Sequence, residues 1–68
     1  MIKGYRELSD DELIMINKLK DLADIVGQTV TLFKDDKDID QRWLAMATTD
    51  LQKGFMAAVR AVAQPTTF

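Results

Sequence analysis

From residue 1 to residue 64 the chain contains no proline; the single one stands at position 65. No obligatory helix breaker interrupts that length, and apolar residues recur along it at spacings of three and four. Two long helices are therefore expected. Ser9-Asp10-Asp11-Glu12 is a capping box: the Ser9 hydroxyl accepts from the Glu12 backbone N–H, and the Glu12 carboxylate accepts in return from the N–H of Ser9. Asp10, Asp11 and Glu12 also set negative charge where the helix dipole favours it. The first helix is placed at about residues 10 to 34, with an apolar stripe of Met15, Leu19, Leu22, Val26, Val30 and Phe33. Ile14, Ile16, Ala23 and Ile25 fall outside that stripe.

A charged turn follows at about residues 35 to 39. Either Asp38 or Asp40 can cap the second helix, and Gln41 makes Asp38 a plausible box. That helix is placed at about residues 40 to 63, ending ahead of Pro65. Its main stripe is Leu44, Ala47, Leu51, Phe55, Ala58 and Val62, with a second row of Met56, Val59 and Ala63 beside it. Two helices of similar length joined by a short turn fold back antiparallel. The fold class is all-α: a short N-terminal lead-in or helix, then a two-helix antiparallel hairpin, forming one domain over residues 1–68.

A hairpin buries one stripe on each helix, and here apolar surface is left over on both. Sixty-eight residues make a marginal core, which small proteins reinforce with disulfides, a metal or association. The chain has no Cys and no His, which removes disulfides, thiolate zinc sites and the commonest neutral metal ligand. Association into a homo-oligomeric helical bundle remains. Gly27 and Gly54, each in the middle of a helix where glycine costs about 1 kcal/mol against alanine, permit close helix approach in such a bundle.

Nine basic residues stand against 11 acidic ones, for a formal net charge of −2. Binders of long DNA or RNA present a basic face, so neither is expected as a partner. A small anion in a local pocket needs only a few well-placed cations. The N-terminal residues lack the apolar core of a secretion signal and no run is long enough to span a bilayer, so a cytoplasmic protein without membrane attachment is expected.

Catalysis finds little support. Without His or Cys the usual triads and dyads are excluded, no Gly-rich phosphate loop occurs, and the paired carboxylates sit at a helix start and in a turn. No enzyme, no cofactor and no metal are expected. Binding residues are better represented. Tyr5, the sole tyrosine, offers a flat ring for stacking, with Arg6 beside it. Lys20 lies near the apolar stripe, able to lean its ammonium toward a phosphate. Arg60 is a lone cation in an Ala-rich apolar stretch, suited to binding an anion bidentately. Thr48 and Thr49 offer hydroxyls about three turns earlier. Trp43, the only tryptophan, reads as a packing anchor.

Taken in order, Tyr5-Arg6-x-Leu8-Ser9, Ile16-Asn17-x-Leu19-Lys20, Arg42-Trp43-Leu44-Ala45, Thr49-Asp50-Leu51-Gln52-x-Gly54-Phe55-Met56 and Arg60-Ala61-Val62-Ala63-Gln64-Pro65 resemble a phage family, the anti-CBASS cyclic-oligonucleotide sponges, whose hairpin domain is shared with some anti-Thoeris sponges. The resemblance covers almost the whole chain, and its C-terminal block is the most specific part. It implies a hexamer that binds cyclic dinucleotides such as 3′,3′-cyclic GMP–AMP between subunits without cleaving them, in the cytoplasm of the infected host. Some members also hold cyclic trinucleotides at separate pockets where three subunits meet. Carried over by position, Tyr5, Arg6 and Lys20 are the residues expected to bind the dinucleotide, Tyr5 by stacking on a nucleobase and Lys20 by contacting the ligand, while Arg60 and Thr49 are candidates for the trinucleotide pocket. The chain is short for the family. The competing reading is a structural or protein-docking helical oligomer with no nucleotide ligand.

Overall fold

A computed structural model describes residues 6–66. Two helices pack against each other as a hairpin: α1, Asp10–Phe33, and α2, Gln41–Ala63. The capping box forms as expected, with the Glu12 N–H donating to Ser9 Oγ at 3.2 Å and the Ser9 N–H donating to Glu12 Oε1 at 3.0 Å. The lead-in from Arg6 to Ser9 is not helical.

Of the two candidate caps for α2, Asp40 serves: its Oδ1 accepts from the N–H groups of Arg42 and Trp43 at 3.0 and 3.1 Å. Gln41 does not complete a box on Asp38. Its amide reaches back across the turn instead, donating to the carbonyls of Phe33, Asp36 and Ile39 and accepting from the Asp35 N–H. Four turn groups thereby find a partner in one side chain. Asp35 takes a left-handed conformation, φ 65°, which a short polar side chain tolerates better than a branched one. At the far end Gln64 also turns left-handed, φ 44°, because Pro65 disfavours right-handed helix in the residue ahead of it.

The rotation of α1 differs from the expected one. Glu12, Leu19, Ala23, Val26 and Val30 are half-buried and Ile16 is buried, a row at spacings of four and three that faces α2. Met15, Leu22 and Phe33, which the sequence placed on the packing stripe, face outward. Two overlapping apolar arcs run along this helix, and periodicity alone does not rank them. On the face turned to α2 the Arg6 guanidinium pairs with Glu12 and also donates to the Val62 carbonyl at 3.0 Å. On α2 the half-buried residues are Leu44, Thr48, Phe55, Ala58, Val59, Val62 and Ala63; Thr48 takes a place in that row, while Ala47 and Leu51 stay exposed.

Very little is enclosed. Among the described residues Ile16, at 8 % exposure, is the one buried apolar side chain. Leu32 is 78 % exposed, Met56 72 % and Trp43 65 %. The chain presents 5904 Å² to solvent, whereas a compact monomer of its mass presents about 4,300 Å².

Candidate functional site

Along the seam between the helices run three adjoining grooves. The first, about 460 Å³, lies toward the open end of the hairpin, between Leu19, Lys20 and Ala23 of α1 and the stretch of α2 around Phe55, Met56, Arg60 and Ala63, with Pro65 beyond. The second, about 560 Å³, shares Ala23, Phe55 and Met56 with it and continues past Gly27 to Thr48. The third, about 430 Å³, shares Val30, Thr31 and Thr48 with the second and reaches the turn at Lys34 and Asp35. The first two grooves are lined mostly by aliphatic and aromatic side chains and the third mostly by polar ones, and the first carries two cations, Lys20 and Arg60.

That pairing follows from helix geometry. Lys20 is one residue beyond the half-buried Leu19, and Arg60 one beyond the half-buried Val59, so each Cβ leaves the packed seam at its edge and the long stem lies over it. Two cations at the rim of an apolar trough suit a ligand that is flat and apolar in part and anionic in part. The sequence assigned Lys20 and Arg60 to different ligands; one protomer brings both to a single groove.

The other sequence-derived residues are placed differently. Tyr5 lies outside the described residues. Thr49 lines the third groove, near the turn, roughly 16 Å along the helix from Arg60 at 1.5 Å per residue, so these two do not share a groove within one protomer. Arg6 is engaged inside the hairpin: Nη1 donates to Glu12 Oε1 at 3.1 Å, Nη2 pairs with Glu12 Oε2 and donates to Val62 O, and Nε is shielded from solvent. This bridge joins residues 56 apart in sequence, and no local signal announces it.

The pairing leaves an electrostatic signature. The Arg6 hydrogen bond, followed by those from the Ser9 backbone and side chain, holds the Glu12 carboxyl down to about 2 from an ordinary 4.5. The same contact raises the Arg6 guanidinium. A carboxyl with a depressed pKa contributes its full stabilisation above the unfolded value and loses it as pH falls through the folded value. Glu12→Gln keeps the capping box but not the charge. Its melting temperature should lie below the wild type's at pH 7, with the difference closing between pH 4.5 and about pH 2. A difference constant over that range would show that the ion pair contributes nothing.

Among the described residues no group of three or more His, Cys, Asp or Glu is placed to hold a metal, and no helix is long and apolar enough to cross a membrane.

Comparison with known proteins gives two matches. The family model described as Acb2/Tad1, hairpin domain, matches residues 1–63. Anti-CBASS protein 2 of Pseudomonas phage JBD67 is 30 % identical over 98 residues, covering 94 % of this chain and 91 % of the relative. A matched span of 98 positions exceeds the 68 residues present here, so the relative carries residues inside the match that this chain lacks.

Proposed function

The chain belongs to the anti-CBASS sponge family, in its Acb2/Tad1 hairpin form, and on that premise we propose that it is a phage immune-evasion protein that binds cyclic dinucleotide signals of bacterial CBASS defence and withholds them without cleavage. It acts as a homo-oligomer, a hexamer in this reading, in the cytoplasm of the infected cell. Tyr5 stacks on a base, Lys20 contacts the dinucleotide and Arg6 stands beside Tyr5. Arg60 and Thr49 belong to a second pocket for cyclic trinucleotides; their separation along α2 suits a pocket assembled from different copies.

The observation that carries this reading is the groove with Lys20 at its rim and an apolar floor, in a chain of net charge −2. A cyclic dinucleotide presents two phosphates and two flat bases. Such a ligand needs a stacking surface and a cation from each side, which a two-fold interface supplies by duplicating one Tyr and one Lys. Withholding a signal requires affinity and copy number and no catalytic group.

Thermal unfolding in the presence of 3′,3′-cyclic GMP–AMP tests it. Ligand at a hundred times Kd stabilises each site by about 2.7 kcal/mol, which raises the melting temperature of so small a protein by about 10–20 °C. The nucleotide recovered after heating should be intact. An unmoved melting temperature across a panel of cyclic di- and trinucleotides would favour a docking module, and recovery of linear products an enzyme.

A further inference from the structure

We propose that one outward flank of α1 is a self-association surface, on which the α1 of a second copy packs antiparallel about a two-fold axis between Ala23 and Asp24. The proposal rests on the homo-oligomer reading given above and adds which face pairs, in which direction and in which register.

Met15, Lys18, Leu22, Ile25, Thr29 and Leu32 follow one another along α1 at spacings of three, four, three, four and three, the alternation with which one helix seats its side chains against another. All six are exposed in the hairpin. Met15, Leu22 and Thr29 each stand one residue ahead of Ile16, Ala23 and Val30 of the packed stripe. The row is therefore turned by roughly 100° from α2, and a second hairpin can dock on it without disturbing the first. Lys20 leaves the far side of α1, roughly 170° from the centre of the row, so the groove that it borders stays open.

Read from either end, the row has the same order: apolar, polar, apolar, apolar, polar, apolar. A two-fold interface is isologous, so that if one residue meets a second, the second also meets the first. The antiparallel register satisfies this at every position. Met15 opposes the partner's Leu32, Lys18 opposes the partner's Thr29 and Leu22 opposes the partner's Ile25, and symmetry supplies the other three. Charge sets the direction. A parallel pair would place Lys18 against the partner's Lys18 inside an apolar seam, two like charges drawn out of water. The antiparallel pair gives each ammonium a hydroxyl instead. Thr29 Oγ1 donates to the Ile25 carbonyl at 2.8 Å, which keeps its lone pairs for accepting. Two hairpins joined in this way make a four-helix bundle.

The chain has no Cys, so Met15→Cys and Leu32→Cys can each be made with a single thiol. After mixing and mild oxidation, the two variants should yield a covalent dimer in which mass spectrometry finds position 15 of one chain joined to position 32 of the other. Neither variant should link to itself. The two positions lie roughly 25 Å apart along one helix, far beyond disulfide reach, so a link between them reports a second copy. A parallel pair gives the opposite pattern, each variant linking to itself. A charge exchange carries the same test where a thiol variant does not fold. Thr29→Lys sets two ammoniums opposite each other at both ends of the seam and should raise the dissociation constant about tenfold or more by sedimentation. Adding Lys18→Thr exchanges the pair and should return the constant close to the wild type's. Self-linked single variants, no link in the mixture, or a second substitution that restores nothing would each overturn the seam, and an oligomeric wild type would then leave the homo-oligomer reading standing. A wild type that remains a folded single chain at micromolar concentration would overturn both.

Discussion

Replacing Ile25 with Asp should dissolve the homo-oligomer proposed above and, with it, most of the helical structure, although Ile25 is 60 % exposed in the single hairpin. On a free-standing monomer such a surface change is worth within about 0.5 kcal/mol. The expectation is different here because the hairpin encloses almost nothing. Large apolar side chains occupy the outward sides of both helices, among them Ile14, Leu32, Trp43 and Met46. Gly27 and Gly54 point the same way: a Cβ at either would meet nothing within 4 Å, so the hairpin itself gives no reason for residues that cost its helices about 1 kcal/mol each. A second copy approaching closely would supply one. An aspartate buried at such an interface without a partner costs several kcal/mol, more than association at micromolar concentration tolerates. Sedimentation velocity and far-UV circular dichroism check this together. The wild type should sediment as an oligomer and lose helicity on dilution, and Ile25→Asp should sediment as a largely unfolded single chain. A variant that stays folded with the wild type's sedimentation coefficient would refute it.

The reasons some features were legible in the sequence and others were not are physical. Ser9, Glu12, Asp40 and Pro65 act on backbone groups within four residues, so their effects can be read from spacing, and the helix ends fall within a residue or so of the expected places. The choice between α1's two apolar arcs was not legible, because it depends on how α1 packs against α2, which periodicity along one helix does not carry. Arg6 had looked like one more cation beside Tyr5; its engagement with Glu12 and Val62 appears only once the chain has closed. Gln41 was misjudged for a related reason: its amide serves four groups of a turn whose shape depends on Asp35 adopting a left-handed conformation. The site was legible in parts. Lys20 and Arg60 stood out singly, and their sharing of a groove required the antiparallel register. The stacking role proposed for Tyr5 rests on resemblance to a family, since a lone tyrosine ahead of a helix carries no such message by itself.

Tyr5→Ala should weaken cyclic dinucleotide binding at least about thirtyfold while leaving the proposed homo-oligomer intact. Stacking of a base on an aromatic ring is worth about 1–3 kcal/mol per base by alanine substitution. A two-fold site uses the ring twice, so one substitution removes about 2–6 kcal/mol, a loss of about thirtyfold at the least. Tyr5→Phe keeps the ring and should retain most of the affinity. Lys20→Ala should differ in kind: it removes a charge from each side, so the remaining affinity becomes less sensitive to salt, whereas Tyr5→Ala leaves the salt dependence nearly as it was. Titrations at two ionic strengths separate the two effects, and sedimentation of each variant confirms that the assembly persists. Affinity that survives Tyr5→Ala would move the site away from the lead-in and onto the groove bounded by Lys20 and Arg60 alone. The two cations would then have to hold the ligand without a stacking ring, and Lys20→Ala would become the variant with the larger loss.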